Sequence, residues 1–113
     1  MVEQEKDIRK PISQLLTGAG FEVSSAETSD QGLKLLELHK DAHALVIDAH
    51  VPGRIDGLEL AHRARPLRPN LALVLMFGYS DHISRPLPQG AEFVLKPNVG
   101  ANLVPTLRRM REG

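Results

Sequence analysis

The sequence predicts an α/β fold, a parallel sheet built from strand-helix crossover units, and three observations carry that prediction. Apolar periodicity alternates along the chain between helical spacing and short strand-like runs. Two runs, Ala44–Ile47 and Leu71–Phe77, are continuously apolar, as expected of parallel strands covered on both faces. Apolar runs also stop at charge: Asp48 closes the first of these two, and Lys96 closes a later one.

The elements follow in order. From Asp7 to Ala19, Ile8, Ile12, Leu15, Leu16 and Ala19 recur at helical spacing, and Gly18-Ala19-Gly20 ends the segment. Pro11 fits that helix only if it lies early enough to lose no ladder bond. Phe21 to Ser25 alternates, with Phe21 and Val23 on one face, and reads as a strand. A helix from Asp30 to His39 carries Leu33, Leu35, Leu36 and Leu38, with Thr28 or Ser29 as its cap. Ala44–Ile47 is a buried strand closed by Asp48, and Gly57–Arg65 is a helix ending before Pro66. Leu71–Phe77 is the most apolar run and reads as a central strand. Asp81 to Gln89 contains Pro86 and Pro88, so a helix there is short or absent. Phe93–Leu95 is a last strand and Asn102–Arg111 a last helix, with Leu103, Leu107 and Met110 inward. The chain has the length of one domain, 1–113, without repeats or a linker.

Composition narrows the function classes. Fourteen basic and fourteen acidic side chains cancel, so no long-range field gathers nucleic acid or an anionic membrane. Cysteine is absent, which removes disulfides, thiolate catalysis and thiolate zinc sites. No apolar stretch approaches the roughly 20 residues of a membrane span, and the N-terminal residues lack a signal peptide's apolar core; the expectation is a cytoplasmic protein. The five histidines lack metal-ligand spacing, Gly18–Gly20 follows a helix instead of opening one, and no serine sits in a strand-to-helix elbow.

In open parallel sheets, sites form at the carboxyl ends of the strands. Asp48, Met76, Phe77 and Lys96 end strands, and Glu3 follows Met1-Val2, which reads as the remnant of a first strand. Each residue alone has a plainer reading: Asp48 as a loop cap, Lys96 as a surface lysine before a turn proline, Glu3 as part of a solvated charge run. Their convergence on one rim is what singles them out.

These residues resemble the receiver domain of two-component response regulators over essentially the whole chain. The carriers are Glu3-Gln4 after the first strand, Asp48 at a strand end, Pro52 four residues later, Asp56-Gly57 opening a helix, and the run GAEFVLKP from Gly90 to Pro97. The loop VPGRIDG is one residue longer than the commonest form and is similar to receivers attached to hybrid sensor histidine kinases. The resemblance implies a flavodoxin-like (CheY-like) α/β fold, a doubly wound parallel five-stranded sheet with helices on both faces and a truncated first strand.

It also implies a chemistry. Asp48 is the phosphoacceptor that takes a phosphoryl group from phosphohistidine, and Lys96 pairs with Asp48 or its phosphoryl oxygens. Magnesium would be held by Glu3, Asp48 and the backbone carbonyl of His50, with Gln4 a further candidate where the family has a second acid. The Lys96-Pro97 bond resembles one that is cis in the family, and Phe93 matches an aromatic that changes rotamer on activation. The switch threonine or serine position falls at Met76, or at Phe77 with a one-residue shift; neither carries a hydroxyl. Implied partners are a sensor histidine kinase or phosphotransfer protein and a second copy in a homodimer, with neither nucleic acid nor membrane contacted directly. At most the chain catalyses its own phosphoryl transfer and dephosphorylation. The competing reading is a pseudo-receiver, a docking module that works without phosphorylation.

Overall fold

The computed structural model describes residues 1–83 and 85–112. Helices α1 (Lys6–Gly18), α2 (Ser29–Leu38), α3 (Gly57–Leu67) and α4 (Val99–Glu112) surround strands β1 (Ala44–Asp48), β2 (Ala72–Phe77) and β3 (Glu92–Leu95), and a 3-10 turn, Lys96–Asn98, leads into α4. The strands pair in the order β1-β2-β3, all parallel. Val2 extends the sheet past β1 through parallel bridges to Ile47 and to Ala26. Five chain segments therefore lie side by side, with Met1–Glu3 between β1 and the segment ending at Ala26.

Side-chain alternation explains the two apolar layers. Leu45 and Ile47 of β1 and Leu73, Leu75 and Phe77 of β2 point toward α2 and α3. Val46, Val74, Met76 and Val94 point the other way and pack with Ile12 and Leu16 of α1 and Leu103 and Leu107 of α4. Leu73, Leu75 and Met76 are fully buried, each stabilising the fold by roughly 1.5–3 kcal/mol relative to an exposed side chain.

Several expected boundaries shift for physical reasons. Phe21–Ser25 is not a regular strand: only Ala26 bridges, because Met1–Glu3 alone runs beside it, although Phe21 and Val23 still pack on the α1/α4 layer. Pro11 is the sixth residue of α1 and does remove one ladder bond, leaving the carbonyl of the exposed Asp7 to solvent. Helix α3 runs two residues past its expected end and includes Pro66 in its last turn. Helix α4 begins at the buried Val99, three residues before its expected start, because the 3-10 turn feeds directly into it. The segment Asp81–Gln89 forms no helix among its described residues; Ser84 lies outside them.

Candidate functional site

Strand parity assembles the site. Val2, Ile47 and Leu95 face the α2/α3 layer, so the residues after them, Glu3, Asp48 and Lys96, turn toward the opposite side of the same rim. The register brings them together: Val2 lies beside Ile47, and Asp48 beside Met76. Backbone bonds from Val2 N–H to the Val46 carbonyl (2.8 Å) and from Asp48 N–H to the Val2 carbonyl (2.9 Å) fix Glu3 against Asp48.

Lys96 Nζ lies 3.1 Å from Asp48 Oδ1 and 3.7 Å from Glu3 Oε1. Asp48 Oδ1 also accepts from His50 N–H at 3.2 Å, and Glu3 Oε2 accepts from Glu5 N–H at 3.2 Å. Glu3 is fully buried, and its Oε1 has no hydrogen-bond partner among the described residues. Burial pushes the Glu3 carboxyl above its ordinary range; the Glu5 amide pulls it back, the Asp48 carboxylate raises it further and Lys96 lowers it. For Lys96 burial acts downward, but the hydrogen bond and charge of Asp48, with Glu3 and Asp81, outweigh it and hold the ammonium above its usual value.

Two carboxylates side by side with one lysine, one carboxylate oxygen sealed and without a hydrogen bond among the described residues, form a donor set suited to a hard divalent cation. Magnesium needs only one or two protein carboxylates, with water supplying the remaining ligands. Gln4 differs from Glu3: it is exposed, its carbonyl accepts from Arg9, and its amide makes no hydrogen bond among the described residues.

The helix after the acceptor loop is locked to the site. Asp56 caps α3 by accepting from Glu59 N–H at 2.8 Å, and Gly57 N–H donates to the Ala49 carbonyl. A Cβ on Gly57 would stand 2.1 Å from the Asp48 carbonyl oxygen, so only glycine lets α3 approach so closely. Gly53, at φ +138°, lies against the Ser29 side chain, while Ser29 N–H bonds the Pro52 carbonyl and Arg54 N–H bonds Asp30. The longer loop is thereby tied to the first turn of α2.

Two expectations meet different outcomes here. The Lys96-Pro97 bond is not cis: no cis peptide bond occurs among the described residues. Pro97 occupies the opening of the 3-10 turn, where its fixed φ suits the helix and its missing N–H costs little; Lys96 is aimed at the acids by strand parity instead. Met76 is sealed beneath the rim beside Asp48, whereas Phe77 packs on the other layer and meets Phe93 edge to face, ring centroids 6.2 Å apart at 80°. Phe93 itself is 52% exposed.

Asp81 was not singled out by the sequence. Its Oδ2 accepts from Gly78 N–H at 2.6 Å, and its Oδ1 lies 3.2 Å from His50 Nε2. An aspartate three residues after a glycine is an ordinary turn signal, and nothing local points across to His50.

The response regulator receiver domain family model matches residues 1–108. The chain is 34% identical over 116 residues to the C4-dicarboxylate transport transcriptional regulatory protein DctD of Rhizobium meliloti (strain 1021), covering 99% of this chain and 25% of that protein. It is 32% identical over 111 residues to the transcriptional regulatory protein AfsQ1 of Streptomyces coelicolor (strain ATCC BAA-471 / A3(2) / M145), covering 96% and 48%. With the response regulator receiver protein CpdR of Brucella abortus (strain 2308) the identity is 27% over 114 residues, covering 97% and 92%. The chain thus spans a quarter to a half of the first two relatives and nearly all of CpdR. Among solved structures, the receiver domain of NtrX from Brucella abortus superposes with a TM-score of 0.83 at 25% identity, covering 98% of this chain and 95% of that one. A response regulator receiver domain protein from Clostridium thermocellum gives 0.87 at 23% identity, covering 98% and 90%, a likeness of fold.

Proposed function

This chain belongs to the response regulator receiver domain family, and on that premise we propose that Asp48 accepts a phosphoryl group from the phosphohistidine of a sensor histidine kinase or phosphotransfer protein in the cytoplasm. The observation that supports this most is the ion pair of Asp48 with Lys96 beside the sealed Glu3 oxygen that no hydrogen bond satisfies among the described residues. An Asp48 oxygen forms the new P–O bond while the N–P bond of the donor breaks; its electron pair stays on the donor imidazole, which takes a proton from solvent. Asp48 Oδ1 is held by two donors, Lys96 and His50 N–H, which leaves Oδ2 as the attacking oxygen. Lys96 pairs with the phosphoryl oxygens as they arrive, because transfer is mostly positioning and charge neutralisation. Receiver domains generally depend on magnesium, and here Glu3, Asp48 and the His50 carbonyl would hold it, Gln4 through its side-chain amide at most; when bound it would supply positive charge that offsets the charge of the transferred group.

A second reading has specific support. Neither Met76 nor Phe77 offers a hydroxyl to a phosphoryl group, and Gln4 brings no charge to the metal. In that reading the domain is a pseudo-receiver that docks partners, its own second copy among them, without switching. Incubation with phosphoramidate and Mg2+ followed by intact mass separates the two. A gain of one phosphoryl group that disappears in Asp48→Asn supports the acceptor; an unchanged mass under conditions that label another receiver leaves the docking module.

A further inference from the structure

Asp81 joins two loops. Its carboxylate takes the Gly78 amide at 2.6 Å on one oxygen and His50 Nε2 at 3.2 Å on the other. His50 lies two residues beyond Asp48 and Gly78 two beyond Met76, and Asp48 and Met76 are register partners. The contact therefore crosses from the loop after β1 to the loop after β2 at the point where both leave the sheet, next to the acceptor. Asp48 is only 5% exposed and Glu3 is sealed, while the Asp81 charge also acts on Lys96, the lysine paired with Asp48, so the contact lies beside the acceptor pair on the loops that follow it. An imidazole with its proton on Nε2 serves this bond whether or not Nδ1 is protonated.

We propose that the His50–Asp81 contact is a latch across the mouth of the acceptor pocket that slows both entry of the phosphoryl donor and attack of water on the acyl phosphate. The proposal rests on Asp48 being the acceptor. In the second step a water oxygen bonds phosphorus, the bond to Asp48 breaks with its electron pair returning to the carboxylate, and a water proton leaves to solvent, giving inorganic phosphate. The His50 side chain is 55% exposed and that of Asp81 22%, so the latch opens readily, and its loss changes rates by roughly two- to fivefold.

His50→Ala removes the latch yet keeps the backbone carbonyl and the Asp81–Gly78 bond. Labelling by phosphoramidate with Mg2+, and decay after the donor is removed, are followed by intact mass in wild type, His50→Ala and Asp81→Ala. The expected result is that both rates rise together in both variants while the urea midpoint of His50→Ala stays at the wild-type value, which a general loss of structure would not give. Wild-type rates in both variants, with Asp48 labelled, overturn the latch and leave the acceptor standing. If no protein is labelled, the acceptor reading fails, and hydrogen exchange at the Gly78 amide decides the tie between the loops. Faster exchange in His50→Ala supports it, and equal exchange overturns it.

Discussion

Lys96 Nζ stands 3.1 Å from Asp48 Oδ1, and among the described residues it is the cation that faces both carboxylates of the rim, since Glu3 Oε1 lies 3.7 Å away. Two acids so close and so buried repel each other and lose hydration, and one lysine offsets only part of that cost. The site is thus short of positive charge by construction, a state that favours a divalent cation.

Removing the lysine should expose that shortage. Lys96→Met is expected to lower unfolding free energy at pH 7 by about 2 kcal/mol and to slow Asp48 labelling on the order of a hundredfold. Urea unfolding and intact-mass kinetics check both. Because the folded Lys96 pKa lies above its ordinary 10.5, its stabilisation is full below that value and lost as pH rises through the folded one. Wild type, and not Lys96→Met, should show that alkaline loss.

Glu3 predicts a pH dependence of opposite kind. Its pKa is raised above 4.5 by burial first, with the Asp48 charge adding, so the folded state binds the proton more tightly than the unfolded one. Stability therefore falls as pH rises from about 4.5 through the folded value. Glu3→Gln cannot titrate, and without magnesium it should gain on wild type as pH rises above about 4.5, ending more stable by about 1 kcal/mol. Urea midpoints of both proteins across that range test this; a constant difference contradicts it.

How much of this was legible in the sequence depends on distance along the chain. The strands of Ala44–Ile47 and Leu71–Phe77 were readable because covered parallel strands are apolar throughout, and Asp48, Glu3 and Lys96 were readable because strand ends are where such sheets place chemistry. Of the two cap candidates for α2, Thr28 is the one whose hydroxyl accepts from Gln31 N–H, and Asp56, read only as opening its helix, caps α3. Phe21–Ser25 alternates like a strand, but alternation says nothing of whether a partner runs alongside. Pro97 was read by analogy, and its bond is trans. Asp81 and His50 are 31 residues apart and Gly57 is limited by the Asp48 carbonyl; such contacts exist only once the strands are in register.

Magnesium should stabilise the folded domain without any phosphoryl donor. Binding to the native state alone raises stability by about 2.7 kcal/mol at a hundred times Kd. The expected rise in Tm with added Mg2+ is reduced in Glu3→Gln and in Asp48→Asn, each of which removes one of the two carboxylates. Thermal unfolding over a magnesium series measures it, and an equal rise in all three proteins would remove these residues as ligands.

The Phe77–Phe93 contact yields the last prediction. Phe77 is buried on the α2/α3 layer, and its ring meets the half-exposed Phe93 from within, so Phe93 cannot turn inward while Phe77 fills that space. Met76 lies on the opposite layer beside Asp48. Phe77→Thr both vacates the space and supplies a hydroxyl at the strand end, at a cost to stability of about 3 kcal/mol. A hydroxyl bonded to a charged phosphoryl group returns roughly 1.5–3 kcal/mol, enough to make the inward turn of Phe93 depend on phosphorylation. Ring-proton shifts of Phe93 are expected to move on labelling in Phe77→Thr and to stay nearly fixed in wild type and in Met76→Thr. Movement in Met76→Thr alone would assign the switch position to Met76.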